Sequence, residues 1–164
     1  MELLRVEERD LSEYKKEMQK AFQEGAIEIN NENIEILPES DIDESLNKEG
    51  SAAYKAVVDE ELVGGAIVVI DKKSQCNSLE FLFVKCGCQS RGIGQKIWKA
   101  IESFYPETKE WETCTPYFEK RNIHFYINCL GFHAVEFFNP HHKDSSIPDD
   151  MIGGDYFFRF TKQM

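Results

Sequence analysis

The stretch Lys85–Glu102, KCGCQSRGIGQKIWKAIE, decides the fold because its character differs from that of the chain around it. It holds three glycines, two cysteines and four cationic side chains, and no acid lies between Glu80 and Glu102, although the chain carries 30 Asp and Glu residues. The stretch follows LEFLFV, an apolar run typical of a strand, and its own apolar residues recur at helical spacing as far as Phe104. A strand, a glycine-rich loop and a helix are therefore predicted in succession.

The loop of this stretch is suited to binding an anion. Gly92 and Gly94 precede the first turn of the predicted helix, where backbone N–H groups have no helical partner and the helix dipole is positive. The four cations make the local potential positive, against a formal net charge of −11 for the whole chain. The loop contains neither the P-loop pattern GxxxxGK[ST] nor the dinucleotide pattern GxGxxG, because GIGQKI lacks the third glycine. A tight turn beside a solvated basic helix face is the alternative for a lone glycine pair.

Length and composition indicate one globular domain spanning residues 1–164, with 41% hydrophobic and 12% aromatic residues. The longest largely apolar run, Leu62–Ile70, is shorter than the ~20 residues that cross a bilayer, and the first ten residues do not read as a secretory signal. Five cysteines without zinc-ligand spacing favour unpaired thiols in a reducing compartment. We therefore expect a cytoplasmic protein without a membrane partner, and we assign no metal.

The formal charge of −11 also bears on the partners. Proteins that bind nucleic acid neutralise phosphates with Lys and Arg, so a nucleic-acid partner is not expected. An acidic surface weakly favours a cationic small molecule or a basic peptide, and it is also a common solubility feature.

Apolar periodicity predicts the order β, α, α, three strands, α, β, α, β, β, which indicates a mixed α/β sheet. Gly25 is expected to end the first helix and Gly131 the last one. The predicted elements are a strand at LLRV, helices from Asp10 and near Ser40, strands at AAYKAVVD, LVGGAIVVI and SLEFLFV, a helix from Ile93, a strand at EWETCTP, a helix at YFEKRNIHFYINCL, and strands at FHAVEFF and DYFFRFTKQ.

The chain resembles the GNAT-superfamily N-acetyltransferases. Gln89–Gly94, QSRGIG, matches the [QR]xxGx[GA] pyrophosphate loop of that family, and NIHFYINCLGF is similar to its NxxxxFYxxxGF segment. WETCTP corresponds to the intervening strand, and the element order agrees over essentially the whole chain. The resemblance implies an α+β fold of the α/β class, with a mixed, mostly antiparallel sheet whose central strands splay apart and are flanked by helices.

The resemblance also implies an activity, the transfer of an acetyl group from acetyl-CoA to a primary amine by direct attack in a ternary complex. The main chain of the strand before the loop is expected to bind the pantetheine arm, and the Leu82 N–H is expected to stabilise the oxyanion. The implied CoA contacts are Leu82, Phe83 and Val84 of the strand, Gln89, Ser90, Arg91, Gly92, Ile93 and Gly94 of the loop, Gln95 of the following turn, and Asn122 and Tyr126 of the later helix.

Glu80 is the predicted general base for the amine. It precedes Leu82 by two residues and is therefore expected on the same face of the strand. Simple counting along the family pattern gives Ser78 instead, and a glutamate at a strand start that merely faces water is the alternative.

Tyr126 is the residue that the resemblance implies as general acid for the leaving thiolate. Tyr126 lies five residues before Gly131, whereas the family tyrosine lies four before its glycine, so either the helix end holds one extra residue or the acid role is absent. An aromatic packed against the pantetheine arm is the rival interpretation. Asn122 matches the family asparagine only approximately, and a polar residue in the first turn of a helix is its alternative.

The acceptor is not determined by these motifs. It is expected to be chosen by the acidic region Glu24–Glu49 and by the loop before the last strand, and a small molecule, a peptide, a protein N-terminus and a lysine all stay open. A homodimer is expected from the family. A catalytically weak module that holds CoA and senses or regulates a partner is the alternative function.

Overall fold

Within residues 1–26, 35–143 and 156–164, which the computed structural model describes, seven strands form one sheet. The strands are β1 (Glu2–Arg5), β2 (Ser51–Val58), β3 (Glu61–Val69), β4 (Cys76–Val84), β5 (Glu110–Pro116), β6 (His133–Phe138) and β7 (Phe157–Gln163). The helices are α1 (Leu11–Ala26), α2 (Glu39–Asn47), α3 (Ile93–Phe104) and α4 (Lys120–His124), and α4 continues into a π-helical turn, Phe125–Cys129. The predicted order of elements is confirmed.

The sheet has the strand order β1-β2-β3-β4-β5-β7-β6 and is mostly antiparallel. Helices cover both of its faces, because each helix carries one apolar stripe. α3 buries Ile97, Trp98 and Ile101 on one face, and α1 buries Tyr14 and Met18 on the other. The predicted fold class, a mixed and mostly antiparallel sheet flanked by helices, is confirmed.

Three predicted boundaries differ from the structure. α1 runs past Gly25, and the helix predicted from Tyr117 begins at Lys120 because the residues after Pro116 form a turn. The last strand begins at Phe157, and Asp155 lies outside the described residues. Residues 27–34 and 144–155, parts of the segments expected to choose the acceptor, also lie outside them.

No helix in the described part of the chain is long and apolar enough to cross a membrane.

β4 and β5 form the parallel pair of the sheet, and their ladder ends early. It contains the pairs Cys76↔Glu110, Asn77↔Trp111 and Ser78↔Glu112, although β4 runs on to Val84. Just beyond the last pair, the Thr113 hydroxyl donates a hydrogen bond of 2.9 Å to the Leu79 carbonyl. We call this point the fork, because beyond it the described residues include no further backbone pairing between the two strands.

A β-bulge lies in β4 next to the fork. Ile67 of β3 pairs with Phe81 and Val68 pairs with Leu79, so Glu80 is the extra residue of the bulge. The bulge interrupts the alternation of side chains between the two faces of the sheet. The Glu80 side chain contacts α2, whereas the Leu82 side chain packs in the core beneath α3. The expectation that Glu80 and Leu82 share a face of the strand is therefore wrong.

Thr113→Val should destabilise the protein by about 1–3 kcal/mol, because the variant leaves the Leu79 carbonyl and the Tyr126 hydroxyl, both partners of Thr113, unsatisfied in the interior. Thr113→Ser is the matched control, since it keeps the hydroxyl and loses one methyl group, for about 1 kcal/mol. Urea unfolding of the three proteins measures the difference. A valine variant as stable as the wild type would show that the fork does not depend on this hydrogen bond.

Candidate active site

A cavity of about 440 Å³ opens where β4 and β5 have parted. Its walls come from five places in the chain: the end of α1, the end of β4, the glycine loop with the first turn of α3, helix α4, and the π-helical turn. The loop lies at one end of the free part of β4 and the fork at the other, about 17 Å apart at the usual rise of a strand. The cavity follows the end of β4, from Leu82 to Val84, toward the loop.

The glycine loop presents its backbone to this cavity. Ser90 and Gly92 have positive φ angles, +62° and +69°, and Gly92 is the N-terminal cap of α3. A left-handed residue followed by a helical one turns successive N–H groups toward the same side, and the positive end of the helix dipole adds to their attraction for an anion. Gln89, Ser90, Gly92, Ile93, Gly94 and Gln95 line the cavity, as expected for the predicted loop contacts, whereas the exposed Arg91 is not part of the lining.

The side chain of Gln89 braces the loop. Its Oε1 accepts a hydrogen bond of 2.8 Å from the Gly87 N–H, and its Nε2 donates one of 3.0 Å to the carboxylate of Glu24 in α1. Burial, with the Glu24 carboxylate as its hydrogen-bond partner, raises the pKa of Cys86 to about 11, so this thiol is a poor nucleophile at neutral pH. The segment that is free of acids in the sequence therefore has acids of α1 near it in space, with Glu24 in direct hydrogen-bond contact.

One edge of β4 faces the cavity with unpaired backbone groups. The Lys85 N–H donates to the Val63 carbonyl of β3 at 2.9 Å, and hydrogen bonding to one neighbour alternates along a strand. Phe83 therefore bonds toward β3, and the N–H and C=O groups of Leu82 and Val84 point to the side of β5. Because the ladder with β5 has already ended there, these groups are available to a ligand.

Glu80, the predicted base, does not line the cavity. Its Oε2 accepts hydrogen bonds from the Ser45 hydroxyl of α2 at 3.3 Å and from the ammonium of Lys48, the residue that caps the C-terminus of α2, at 2.7 Å. Ser78, the alternative position, pairs with Glu112 in the last step of the parallel ladder. The role of Glu80 as base stays a prediction, and its side chain is occupied by a salt bridge outside the cavity.

Tyr126, the predicted acid, lies in the aromatic core. Its ring contacts Phe132 and Phe160, its hydroxyl is hydrogen-bonded to Thr113, and it is not among the residues that line the cavity. Burial raises the pKa of Tyr126 to about 12, so the hydroxyl stays protonated at neutral pH. The structure thus brings Tyr126 to the fork but keeps its ring in the core.

The π-helical turn explains the spacing of Tyr126. The Leu130 N–H donates to the Phe125 carbonyl at 3.0 Å, five residues back, so the turn holds one more residue than an α-helical turn. This is the extra residue that the Tyr126 to Gly131 spacing allows for. The same turn directs Phe125 and Cys129 to the cavity wall beside His124. From the sequence, His124 is a candidate base with a structural histidine as the alternative, whereas Phe125 and Cys129 are not identified; the unusual spacing is the signal that the helix end is irregular.

Glu119 and Asn122 complete the wall beside α4. Asn122 lies where the sequence predicts a CoA contact, whereas Glu119 is not identified from the sequence, where it is an ordinary polar residue in the first turn of the predicted helix. Only 7% of Glu119 is exposed, and it has no hydrogen bond or ion pair from its side chain to any other described residue. Burial raises the pKa of its carboxyl group, and the positive charge of Arg121 opposes this in part.

A model of the acetyltransferase (GNAT) domain matches residues 3–152, which is most of the chain and includes the loop, the fork and the cavity wall. The chain belongs to the GNAT acetyltransferase family. The resemblance predicted from the glycine loop is thereby confirmed, and this GNAT protein carries an acyltransferase domain.

Known proteins similar to this GNAT protein include a close relative and distant structural neighbours. YrkN, an uncharacterised protein of Bacillus subtilis, is 44% identical over 97% of this chain and 91% of its own length. The PaiA N-acetyltransferase of Thermoplasma acidophilum, solved in complex with coenzyme A, has a TM-score of 0.73 at 16% identity, over 99% of this chain and 98% of its own. The ribosomal-protein-S18-alanine N-acetyltransferase of Escherichia coli has a TM-score of 0.72 at 12% identity, over 99% of this chain and 92% of its own.

Gln89→Leu should loosen the loop of this GNAT protein, because it removes two hydrogen bonds, each worth about 1 kcal/mol. Amide hydrogen exchange at residues 87–92 should accelerate at least about tenfold, since local opening becomes easier by more than 1 kcal/mol. Gln95→Leu, in the first turn of α3, is the control and should leave exchange in the loop unchanged. Equal protection in wild type and Gln89→Leu would contradict the bracing role.

Proposed function

We propose that this protein transfers the acetyl group of acetyl-CoA to a primary amine by direct attack in a ternary complex. The observation that carries the proposal is a single cavity with two kinds of backbone site. One end presents the amides of the glycine loop, and the long side presents the unpaired edge of β4. An elongated molecule with a pyrophosphate at one end and an amide-containing arm matches this arrangement.

The pyrophosphate is assigned to the N–H groups of Gln89–Gly94 and the positive end of α3. Arg91 lies outside the cavity lining, so in this proposal it contributes only charge at the surface. The pantetheine arm is assigned to the backbone groups of Leu82 and Val84, which can accept and donate hydrogen bonds as a neighbouring strand would. Asn122 of α4 lines the same cavity and is assigned a polar contact with the cofactor.

Catalysis in this proposal depends mainly on the Leu82 N–H. Its donation to the thioester oxygen becomes stronger as negative charge develops there, which lowers the barrier selectively in the transition state. The amine nitrogen forms a bond to the carbonyl carbon, and the carbon–sulfur bond breaks. Tyr126 is assigned a packing role behind the site, because its ring lies in the core.

The acceptor is assigned only as an amine. A structural neighbour acts, by its description, on an alanine of ribosomal protein S18, which makes a peptide N-terminus one candidate. The acidic composition makes a polyamine another candidate. A binding module that holds CoA without efficient turnover is the second candidate function, and it is favoured by the position of Glu80 and Tyr126 outside the cavity lining.

Acetyl-CoA and a panel consisting of spermidine, a lysine-containing peptide and a peptide with N-terminal alanine test the proposal. Calorimetry should detect CoA binding, and mass spectrometry should detect acetylation of at least one amine in proportion to enzyme. Gly94→Ala is the site-specific variant: its Cβ would lie 2.8 Å from the Phe125 ring, so CoA binding should weaken about tenfold or more.

The outcomes separate the two functions. CoA binding with no turnover of any amine in the panel would favour the binding module. A wild-type protein that does not bind CoA would contradict both functions, and equal CoA affinity in Gly94→Ala would contradict the assignment of this cavity.

A further inference from the structure

We propose that Glu119 receives the ammonium group of the acceptor and removes its proton, a role that the sequence assigns to Glu80. The inference rests on the proposed function, since it places the acceptor amine at the end of the cavity opposite to the pyrophosphate loop. It is carried by the position of Glu119, by its burial and by the lack of a partner for its carboxylate among the described residues.

The contacts of Tyr126 locate Glu119 near the fork. The Tyr126 hydroxyl is hydrogen-bonded to Thr113, which in turn donates to Leu79 at the point where β4 and β5 part. The same hydroxyl lies within electrostatic reach of the Glu119 carboxylate. Because Glu119 also lines the cavity, its carboxylate is exposed to the space beyond the fork, where the thioester end of a bound CoA arm would lie.

Glu119 makes none of the contacts that would give a buried glutamate a structural role. Its side chain makes no capping hydrogen bond to α4, and no described cation forms a salt bridge with it. Glu119 is only 7% exposed, and its carboxylate has the charge of Arg121 nearby but no hydrogen bond or salt bridge among the described residues, whereas Glu80 has the Lys48 ammonium at 2.7 Å. An unpaired, buried carboxylate that faces a cavity is suited to a cation that arrives with the substrate.

The proposed step balances in protons and electrons. The ammonium gives one proton to the Glu119 carboxylate, and the freed lone pair on nitrogen attacks the thioester carbon. The new C–N bond forms as the C–S bond breaks, the second proton leaves the nitrogen for the thiolate sulfur, and Glu119 returns its proton to solvent. Burial, which raises the pKa of the carboxyl group, makes Glu119 a stronger base toward an ammonium than an exposed glutamate is.

Several other ionisable groups lie near Glu119 or line the same cavity. They come from α4, from the π-helical turn and from β5: Arg121, His124, Tyr126, Cys129 and Cys114. Glu119 must be ionised to act, so activity should fall as the pH falls through its raised pKa. We call this fall in activity at low pH the acid limb of the pH profile. If Glu119 is the base, replacing Glu119 removes the acid limb even though the other groups are still present.

Glu119→Gln is the decisive variant, because it keeps the shape of the side chain and removes the charge. Calorimetry measures the affinity of the protein for CoA, and then the affinity of the CoA complex for spermidine. Steady-state kinetics measure kcat/KM across pH with whichever amine of the panel the wild type acetylates. Glu119→Gln should bind CoA as the wild type does, bind spermidine at least about tenfold more weakly, and lose at least about 100-fold in kcat/KM together with the acid limb. Glu112→Gln, a β5 carboxylate paired with Arg159, is the matched control and should change none of these values.

Stability provides a second, independent readout. A residue with a structural role loses stability when it is replaced, whereas removal of an unpaired buried charge should leave the Glu119→Gln variant at least as stable as the wild type in urea at pH 7. A variant that loses stability and activity together, while keeping the acid limb, would overturn the inference.

The remaining outcomes also decide it. Wild-type spermidine binding and kcat/KM in Glu119→Gln would overturn the inference, and loss of activity in Glu80→Gln alone would return the base role to Glu80. A wild-type CoA complex that neither binds nor acetylates any amine of the panel would overturn it while leaving CoA binding intact. Failure of the wild type to bind CoA would overturn the proposed function, and the role of Glu119 with it.

Discussion

The early end of the β4–β5 ladder is the constraint on which the site depends. Two neighbouring parallel strands normally pair along their full length, but here the pairing stops at Ser78 and Glu112, and the Thr113 hydroxyl takes the place of the next backbone bond to Leu79. The whole candidate site lies beyond that point. The unpaired edge of β4, the cavity and the wall formed by α4 all exist because the two strands separate.

The cavity has opposite electrostatic character at its two ends. At the loop, N–H groups and the positive end of α3 favour an anion, although the formal charge of the chain is −11. Near the fork, the Glu119 carboxylate favours a cation, and Leu82 and Val84 provide neutral hydrogen-bonding groups between the two ends. An acyl donor with a pyrophosphate and an acceptor with an ammonium group can therefore enter one cavity without competing for the same part of it.

The sequence predicts the parts of this site that depend on local pattern. The spacing of Gly92 and Gly94 after an apolar strand indicates the anion site, and the backbone role expected of Leu82 is implied by the family resemblance. The rest depends on irregularities that pattern does not encode. Glu80 is the bulge residue and its side chain contacts α2, the π-helical turn places Tyr126 in the core, and Glu119 reaches the cavity from the turn that precedes α4. These departures from regular geometry concentrate at the candidate active site, as is common for functional regions.

A crystal structure of the protein with acetyl-CoA and a non-reactive amine analogue, such as fully N-methylated spermidine, in which every amine is tertiary, tests the central claim most directly. The account predicts the pyrophosphate on the amides of Gln89–Gly94, the thioester oxygen within hydrogen-bond distance of the Leu82 nitrogen, and the ammonium group beside the Glu119 carboxylate. A thioester that lies outside the gap between β4 and β5, or an ammonium group bound to Glu80 on the α2 side, would contradict it.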